Sequence, residues 1–419
     1  MSAPARFAML TTFYPPYHFG GDAIGIERLI DGLLRRGHEV EVIHDVDAYL
    51  SLTKGKEPEL PPERPGLKVH RLRSGLGMLS PLLTQQFGRP IVNGRKIAKI
   101  LAAGRFDVIN YHNVSLVGGP GLFRYGDAVK LYMAHEHWLV CPSHVLWRKN
   151  RELCDKRECI RCQIAFKRPP QLWRMTGFLE REAKRVDAFI AMSEFSRQKH
   201  AEFGFPYPME VLPYFLPDPA AADQAEAPTK RLHERPYVLF VGRLEKIKGL
   251  DDVLPLWKTD RGVDLLIAGD GEHGPALRDQ AKDLPNVSFL GRVDQTTLKT
   301  LYRDALALIV PSVCFETFGI ILIEAFRQGT PVIARRLGPF PEIVEKARAG
   351  ELFGSAEELV QALTRLRDDA PYRAALSAAG RAAYLQHWTE SAVLPAYLDI
   401  ARRAALKAGR TDSARKLES

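Results

Sequence analysis

Apolar and polar positions alternate in blocks that spell out a repeating strand, loop and helix. Residues 6–12 are a short apolar run, residues 14–21 are rich in proline and glycine, and residues 24–36 carry apolar side chains at helical spacing. Gly37 stops that helix, and residues 38–44 resume as a strand on Val40, Val42 and Ile43. Strand, helix and strand in this order predict a parallel sheet. Further strands are predicted at 107–112, 130–134 and 188–193, each ending where polar residues begin. Those carboxyl ends are where open α/β sheets bind ligands.

The periodicity then lapses. Residues 216–236 mix prolines, an alanine cluster and charges, which is linker composition. After them the same pattern restarts. Strands are predicted at 237–241, 264–268, 287–290, 307–310 and 331–334, with helices from about residue 250 and over 320–327. Residues 357–406 are helical in pattern. The prediction is therefore an α/β chain of two Rossmann-like halves: an N-terminal domain over 1–215, a linker over 216–236 and a C-terminal domain over 237–376. Helices over 377–406 and a polar, disordered tail over 407–419 complete it.

Composition narrows the class. The 419 residues suit two or three domains, and 46% hydrophobic with 26% charged residues excludes a disordered or fibrous chain. Fifty-nine Lys and Arg against fifty Asp and Glu leave a net charge of +9, which favours an anionic partner without choosing one. No apolar stretch reaches the ~18 residues that span a bilayer, and the first residues lack the pattern of a signal peptide. The expectation is a cytoplasmic protein with mostly reduced cysteines.

The segment 311–328, PSVCFETFGIILIEAFRQ, holds the most chemistry. Glu316 and Glu324 bracket Phe318, Gly319 and Ile320. A helix beginning near Gly319 offers unpaired amides as an anion site beside Glu316, with Glu324 about a turn and a half along, placed for a hydroxyl pair such as a ribose. The alternative is that Glu316 only answers the helix dipole and Glu324 only faces solvent. Upstream, Gly242 and Arg243 end the first strand of the second half and Lys248 follows in the same loop. A planar guanidinium fork and a point charge at a strand end suit a diphosphate. Gly269-Asp270-Gly271 supplies another glycine-lined strand end, which a plain turn explains equally well.

In combination these residues resemble the family 4 glycosyltransferases of the GT-B fold. The resemblance runs through VGRLEKIKG, IAGDGE, FLGRV, PSVCFETFGIILIEA and GPFPEIV in the second half. In the first half it runs through FYPPYHFGGDAIGIERLIDGLLRRGHEV, DVINYHN, AHEHW and FIAMSEFS. It implies two domains facing each other across a cleft, a C-terminal helix crossing back to the first, and retaining transfer of a sugar from a nucleotide-diphosphate donor. The resemblance gives Arg243 and Lys248 the diphosphate, Glu316 the sugar hydroxyls and Glu324 the ribose. The Phe318–Ile320 amides complete the phosphate cradle, and the backbone at Val293 pairs with the base. Gly20 and Gly21 would let the first-half loop approach the diphosphate, as only glycine permits. His135 matches the family's active-site histidine. The implied acceptor is a saccharide or a lipid-linked one, in cell-envelope, exopolysaccharide or glycoconjugate synthesis, with no catalytic divalent metal.

Cys141, Cys154, Cys159 and Cys162 depart from that family's pattern. Their spacing, C-x(12)-C-x(4)-C-x(2)-C, sits in a strongly polar stretch and predicts a structural zinc site or an iron–sulfur cluster within an insertion over 138–168. Four ordinary reduced cysteines are the other reading. Residues 166–185 mix Lys and Arg with Phe, Trp and Met, which fits either a core-packing helix with a basic face or a patch on the inner face of a membrane. Rival functions are a nucleotide-sugar epimerase or another sugar-phosphate enzyme of the same fold, and a zinc-containing nucleic-acid-binding protein. The last leaves Glu316, Arg243 and Lys248 unexplained, so nucleic acid is not expected as a partner.

Overall fold

The computed structural model describes residues 3–53, 55–219 and 231–418. Most of the expected linker, residues 220–230, lies outside the described residues. The chain forms two compact units, Met1–Tyr214 with Val393–Ser419, and Phe215–Ala392.

The first unit is built on seven parallel strands: β1 (Arg6–Leu10), β2 (Glu39–Asp45), β3 (Leu67–Leu72), β4 (Val108–Tyr111), β5 (Val129–Ala134), β8 (Ala188–Ala191) and β9 (Met209–Val211). A separate antiparallel hairpin, β6 (Trp147–Arg148) and β7 (Glu152–Leu153), lies between β5 and β8 in sequence. Sheet order is β3-β2-β1-β4-β5-β8-β9. Phe7 to Leu10 on β1 and all of β4 and β5 are buried, as strands covered on both faces must be. The helix Gly21–Arg35 follows β1 and buries Ile26, Leu29, Ile30 and Leu33 at 3.6-residue spacing.

The second unit repeats the plan with β10 (Tyr237–Val241), β11 (Asp264–Ala268), β12 (Val287–Gly291), β13 (Ala307–Val310), β14 (Val332–Arg335) and β15 (Gly350–Phe353). Its order is β12-β11-β10-β13-β14-β15, again all parallel. Both sheets thus have the doubly wound arrangement, in which strand order reverses beside the first strand. In the second unit that point lies between β10 and β13. The long helix Ala370–His387 packs on helices Ile320–Arg327 and Phe340–Ala347. The second unit therefore extends to residue 392, beyond the expected boundary at 376.

Central strands fall within a residue or two of their expected bounds. Among the edge strands, β12 was expected at 287–290, whereas β3, β9 and β15 have mixed polarity and were not expected. The tail also differs from expectation, because it is ordered as a helix, Thr411–Lys416, within the first unit. Lys416 Nζ reaches Asp107 Oδ1 at 3.0 Å and Oδ2 at 3.1 Å, and Ser413 Oγ donates to Asp107 Oδ1 at 3.0 Å. Ala414 and Leu417 are buried. Two apolar residues among charges were too few to show a periodicity, yet they suffice to dock one turn. Leu417→Ala is accordingly expected to cost about 2 kcal/mol or more of stability in urea unfolding, whereas a free tail would give no change.

Candidate functional site

The loops leaving β10 and β13 meet at the reversal point of the second sheet. Lys248 Nζ lies 2.5 Å from Glu316 Oε1, and Ser312 Oγ donates to the same oxygen at 3.1 Å. Both partners are about three-quarters shielded from solvent. Burial works against the Lys248 ammonium, but the neighbouring Glu316 carboxylate holds its pKa above the ordinary lysine value. Burial likewise pushes the Glu316 carboxyl up, and Lys248 overrides it, leaving the carboxyl below the usual carboxylate range. The pair is ionised at neutral pH.

Two glycines make this approach possible. Gly249 has φ +74°, and a Cβ there would stand 2.1 Å from the Pro311 carbonyl oxygen. The two loops are joined at that point by Val313 N–H donating to Ile247 O at 2.9 Å. Gly269 has φ +143°, and its Cβ would stand 1.9 Å from Gly242 O. Gly242 N–H bonds Ala268 O and Gly269 N–H bonds Gly291 O, so the loops after β10, β11 and β12 are tied together by backbone. Gly249 was not singled out from sequence, although its place beside Lys248 was the available signal. Arg335, at the end of β14, was also missed. It donates to Pro311 O at 2.9 Å and to Asp252 Oδ2 at 2.7 Å, bracing the Glu316 loop.

Arg243 lies in the β10 loop, 56% exposed, with Nη1 2.8 Å from Glu245 Oε1. Helix Ile320–Arg327 begins at Gly319 in the left-handed region, φ +100°, with no side chain capping it. Its first amides are therefore available in the manner of an anion site. Phe318 is buried beneath this turn. Glu324, half-buried on the same helix, accepts from Tyr302 Oη at 3.3 Å. Val293 sits half-buried in the turn after β12, ahead of the helix Gln295–Asp304.

In the first unit, His135 follows β5 and His112 follows β4. His135 Nε2 lies 2.8 Å from His112 Nδ1, and its Nδ1 lies 2.5 Å from Tyr214 Oη. Burial lowers the His135 pKa to about 4 and drives that of His112 well below the ordinary value, so both rings are neutral. One proton assignment satisfies every donor: Tyr214 O–H to His135 Nδ1, His135 Nε2–H to His112 Nδ1, and His112 Nε2–H to Met9 Sδ at 3.4 Å. Tyr214 escaped sequence reasoning. A Cβ on Gly25 would collide with its ring at 2.3 Å, so Gly25 gives the tyrosine its space. Gly20 caps the helix Gly21–Arg35 in an extended conformation with room for a Cβ, so no backbone strain demands glycine at 20.

The cysteines come together. Cys141, Cys154, Cys159 and Cys162 line one cavity of about 20 Å³ beside the β6–β7 hairpin, and none forms a disulfide. Burial, with the neighbouring cysteines adding to it, pushes the Cys154 thiol up to about 11. As placed, Cys154 Sγ donates to Lys156 O at 3.4 Å, and Cys162 Sγ accepts from Lys149 N–H at 3.3 Å. Among the described residues no three His, Cys, Asp or Glu side chains stand as a preformed metal-holding group, so the expected ligand set is gathered but not assembled. Cys314 is buried elsewhere, in the Glu316 loop.

Segment 166–185 is not the single core-packing helix that was one of its two expected forms. It breaks into a 3₁₀ turn, Leu172–Met175, and a short helix, Phe178–Ala183. Trp173 and Phe178 are core, while Leu172 and Met175 are 61% and 72% exposed. No helix among the described residues is long and apolar enough to cross a membrane.

The fold and these strand ends define a doubly wound α/β protein of two units, whose second unit presents a cation, a paired carboxylate and an uncapped helix at one point. Comparison with known proteins places it further. The family described as Glycosyltransferase Family 4 matches residues 19–218, and that described as Glycosyl transferases group 1 matches residues 223–383. The chain is 28% identical over 378 residues to a phosphatidyl-myo-inositol mannosyltransferase of Mycolicibacterium smegmatis, covering 86% of this chain and 85% of that protein. It is 26% identical over 371 residues to an uncharacterized glycosyltransferase of Methanocaldococcus jannaschii, covering 81% and 83%. Among solved structures, a sucrose-phosphate synthase of Thermosynechococcus elongatus superposes with a TM-score of 0.72 at 18% identity, covering 97% of this chain and all of that one. HepE of Anabaena, solved with UDP, superposes at 0.62 with 17% identity, covering 94% and 99%. The chain belongs to the group 1, family 4 glycosyltransferases, and its fold is GT-B.

The Lys248–Glu316 pair gives a pH signature. A depressed Glu316 pKa stabilises the fold above the ordinary glutamate value of about 4.3, and that contribution is lost as pH falls through the depressed value. In Lys248→Met the largest opposing influence is gone and burial is countered only by the Ser312 hydrogen bond and Arg243, so the carboxyl's pKa rises and acidification costs the folded variant less. The stability gap between the two proteins is therefore widest near neutral pH and narrows below about pH 4 in urea unfolding. A gap independent of pH would remove the pairing.

Proposed function

We propose that this glycosyltransferase moves a sugar, with retention of anomeric configuration, from a nucleotide-diphosphate sugar to a saccharide or lipid-linked acceptor. The observation that carries this is the Lys248–Glu316 ion pair at the reversal point of the second sheet, beside the uncapped helix at Gly319. Transfer releases a nucleoside diphosphate, so negative charge grows on the leaving oxygen. Lys248, Arg243 and the amides from Gly319 onward are cationic or dipolar groups held in place before reaction, the arrangement that stabilises such charge most strongly. Glu316 keeps Lys248 charged and directed, and its second oxygen is left for sugar hydroxyls. Glu324, one and a half turns along the helix, takes the ribose, and the backbone at Val293 takes the base. Gly242 and Gly269 keep the strand ends bare, so a diphosphate meets backbone rather than side chains. Gly20 and Gly21 of the first unit are assigned to the diphosphate on the family resemblance. His135, neutral and held by Tyr214, offers a polar but uncharged contact to the sugar. HepE's UDP complex supports a uridine-type donor by analogy.

The same reading places the enzyme in the cytoplasm, in cell-envelope, exopolysaccharide or glycoconjugate synthesis, peripherally on the inner membrane face. Leu172 and Met175 would enter the headgroup layer beside Lys167 and Arg168. It also assigns a structural metal to the four cysteines.

Incubation with UDP-, GDP- and ADP-sugars is expected to give slow hydrolysis and thermal stabilisation with one nucleotide. Glu316→Ala or Lys248→Ala should lower turnover about 10²–10³-fold with the circular dichroism spectrum unchanged. Proton NMR of the product should show the donor's anomeric configuration, and an inverted product overturns the retaining assignment. Indifference to all three donors overturns the function. In flotation with anionic vesicles, the wild type is expected to bind and Leu172→Ser with Met175→Ser to bind several-fold less; equal binding removes the membrane contact.

A further inference from the structure

The cysteine cavity lies next in sequence to His135, and the backbone links the two. Cys141 N–H donates to His137 O at 2.8 Å, His137 N–H to His144 O at 2.9 Å, and His144 N–H to Cys141 O at 3.0 Å. His144 Nδ1 lies 2.5 Å from Glu136 Oε2, which also accepts from Asn113 at 3.3 Å. Cys141 is thus one corner of a closed knot over residues 136–144, and that knot leaves the sheet directly after His135.

We infer that the four cysteines take a single zinc-class divalent ion, and that this ion is a positioning device that fixes the 136–144 knot and with it the side chains of His135 and Glu136. This rests on the metal reading of the cysteines given above. Four sulfur donors select a soft ion with tetrahedral preference. Cys159 and Cys162 sit three residues apart at the start of helix Cys159–Ala165, so both face the same side. Cys154 comes from the hairpin, and its amide donates to Leu146 O at 2.8 Å. The chain turns tightly here, with Leu146, Lys149 and Asn150 all at positive φ.

Size and charge both favour one ion over a cluster. A cavity of about 20 Å³ is close to one water-sized sphere, room for an ion but not for an iron–sulfur cubane. A tetrathiolate with a divalent ion carries two net negative charges. Arg174 stands ready for them: its guanidinium packs over Trp138 and Trp173, feels Cys141 and Cys159, and keeps a buried Nη2 with no hydrogen-bond partner. A buried unpaired guanidinium N–H is costly unless an anion arrives. Lys149 N–H already points at Cys162 Sγ, and Ser143 Oγ lies 3.2 Å from Cys141 Sγ, so donors to thiolate are in place. Loading is an exchange without redox: the ion enters, four S–H bonds give way to four metal–sulfur bonds, and four protons pass to solvent.

The test uses the full chain in reducing buffer. One zinc per chain is expected by elemental mass spectrometry, with four of the five thiols protected from a thiol reagent until a chelator is added. Cobalt(II) in place of zinc should give thiolate charge-transfer bands and intense tetrahedral d–d bands. Cys154→Ser with Cys159→Ser should lose the metal, while Cys314→Ser keeps it; if the double variant fails to fold, the chelator arm on the wild type decides alone. Hydrogen exchange of amides 136–144 should slow at least tenfold in the loaded protein, with UDP affinity unchanged. Absence of stoichiometric metal overturns both the metal reading and the inference. Iron with acid-labile sulfide overturns the single ion. Bound zinc with unchanged exchange at 136–144 overturns the positioning role alone.

Discussion

A parallel sheet whose strand order reverses next to its first strand sets the loops leaving two neighbouring strands side by side at one point, and the chemistry of this chain depends on that meeting. At β10 and β13 those loop ends carry the functional side chains. Lys248 comes from one loop and Glu316 from the other, 68 positions away, and they meet at 2.5 Å. The meeting is possible because the backbones also touch. Gly249 lets its loop lie against the Pro311 carbonyl, where any side chain would drive the two apart. The charge pair and the backbone contact are one device: the glycine sets the distance and the ions set the direction.

The two units solve the problem of polar groups at strand ends differently. In the second unit, burial opposes both Lys248 and Glu316, and each charge is favoured chiefly by the other. In the first, His112, His135 and Tyr214 escape the cost of burial by staying neutral and sharing protons along a chain of hydrogen bonds. One strand end is therefore suited to anions and the other to hydroxyls.

Legibility in the sequence followed apolar content more than burial: even the half-exposed edge strand Val287–Gly291 was readable from its Val, Phe and Leu. Central strands such as 237–241 and 264–268 are continuous apolar runs, because both faces are covered, and their bounds were readable. The edge strands Leu67–Leu72 and Gly350–Phe353 are half-exposed and alternate weakly, so nothing in composition marked them. In the site, Lys248, Glu316 and Gly319 were legible because charged residues and glycine at strand ends are chemically unusual. Gly249, Arg335 and Tyr214 were not, since each acts through a partner distant in sequence. The helix Thr411–Lys416 shows the same limit: Ala414 and Leu417 are meaningful only once Asp107 and the sheet beside them exist.

The cysteine segment has a physical problem that the rest of the chain lacks. Its regular structure amounts to a hairpin of two-residue strands and a seven-residue helix, with charged residues concentrated between Arg148 and Arg161. Leu146 and Trp147 are buried, but short hairpins are marginal on their own. Its ion pairs, Arg148 to Glu152 and Asp155 among them, are largely exposed on the acidic side and contribute little. Cys141 and Cys162 are buried at the two ends of the segment, with Cys154 and Cys159 between them around one small cavity. The inferred metal cross-link through that cavity would close the segment on itself. Because Cys141 also belongs to the knot beside His135, the same cross-link would hold a strand end of the enzyme in place.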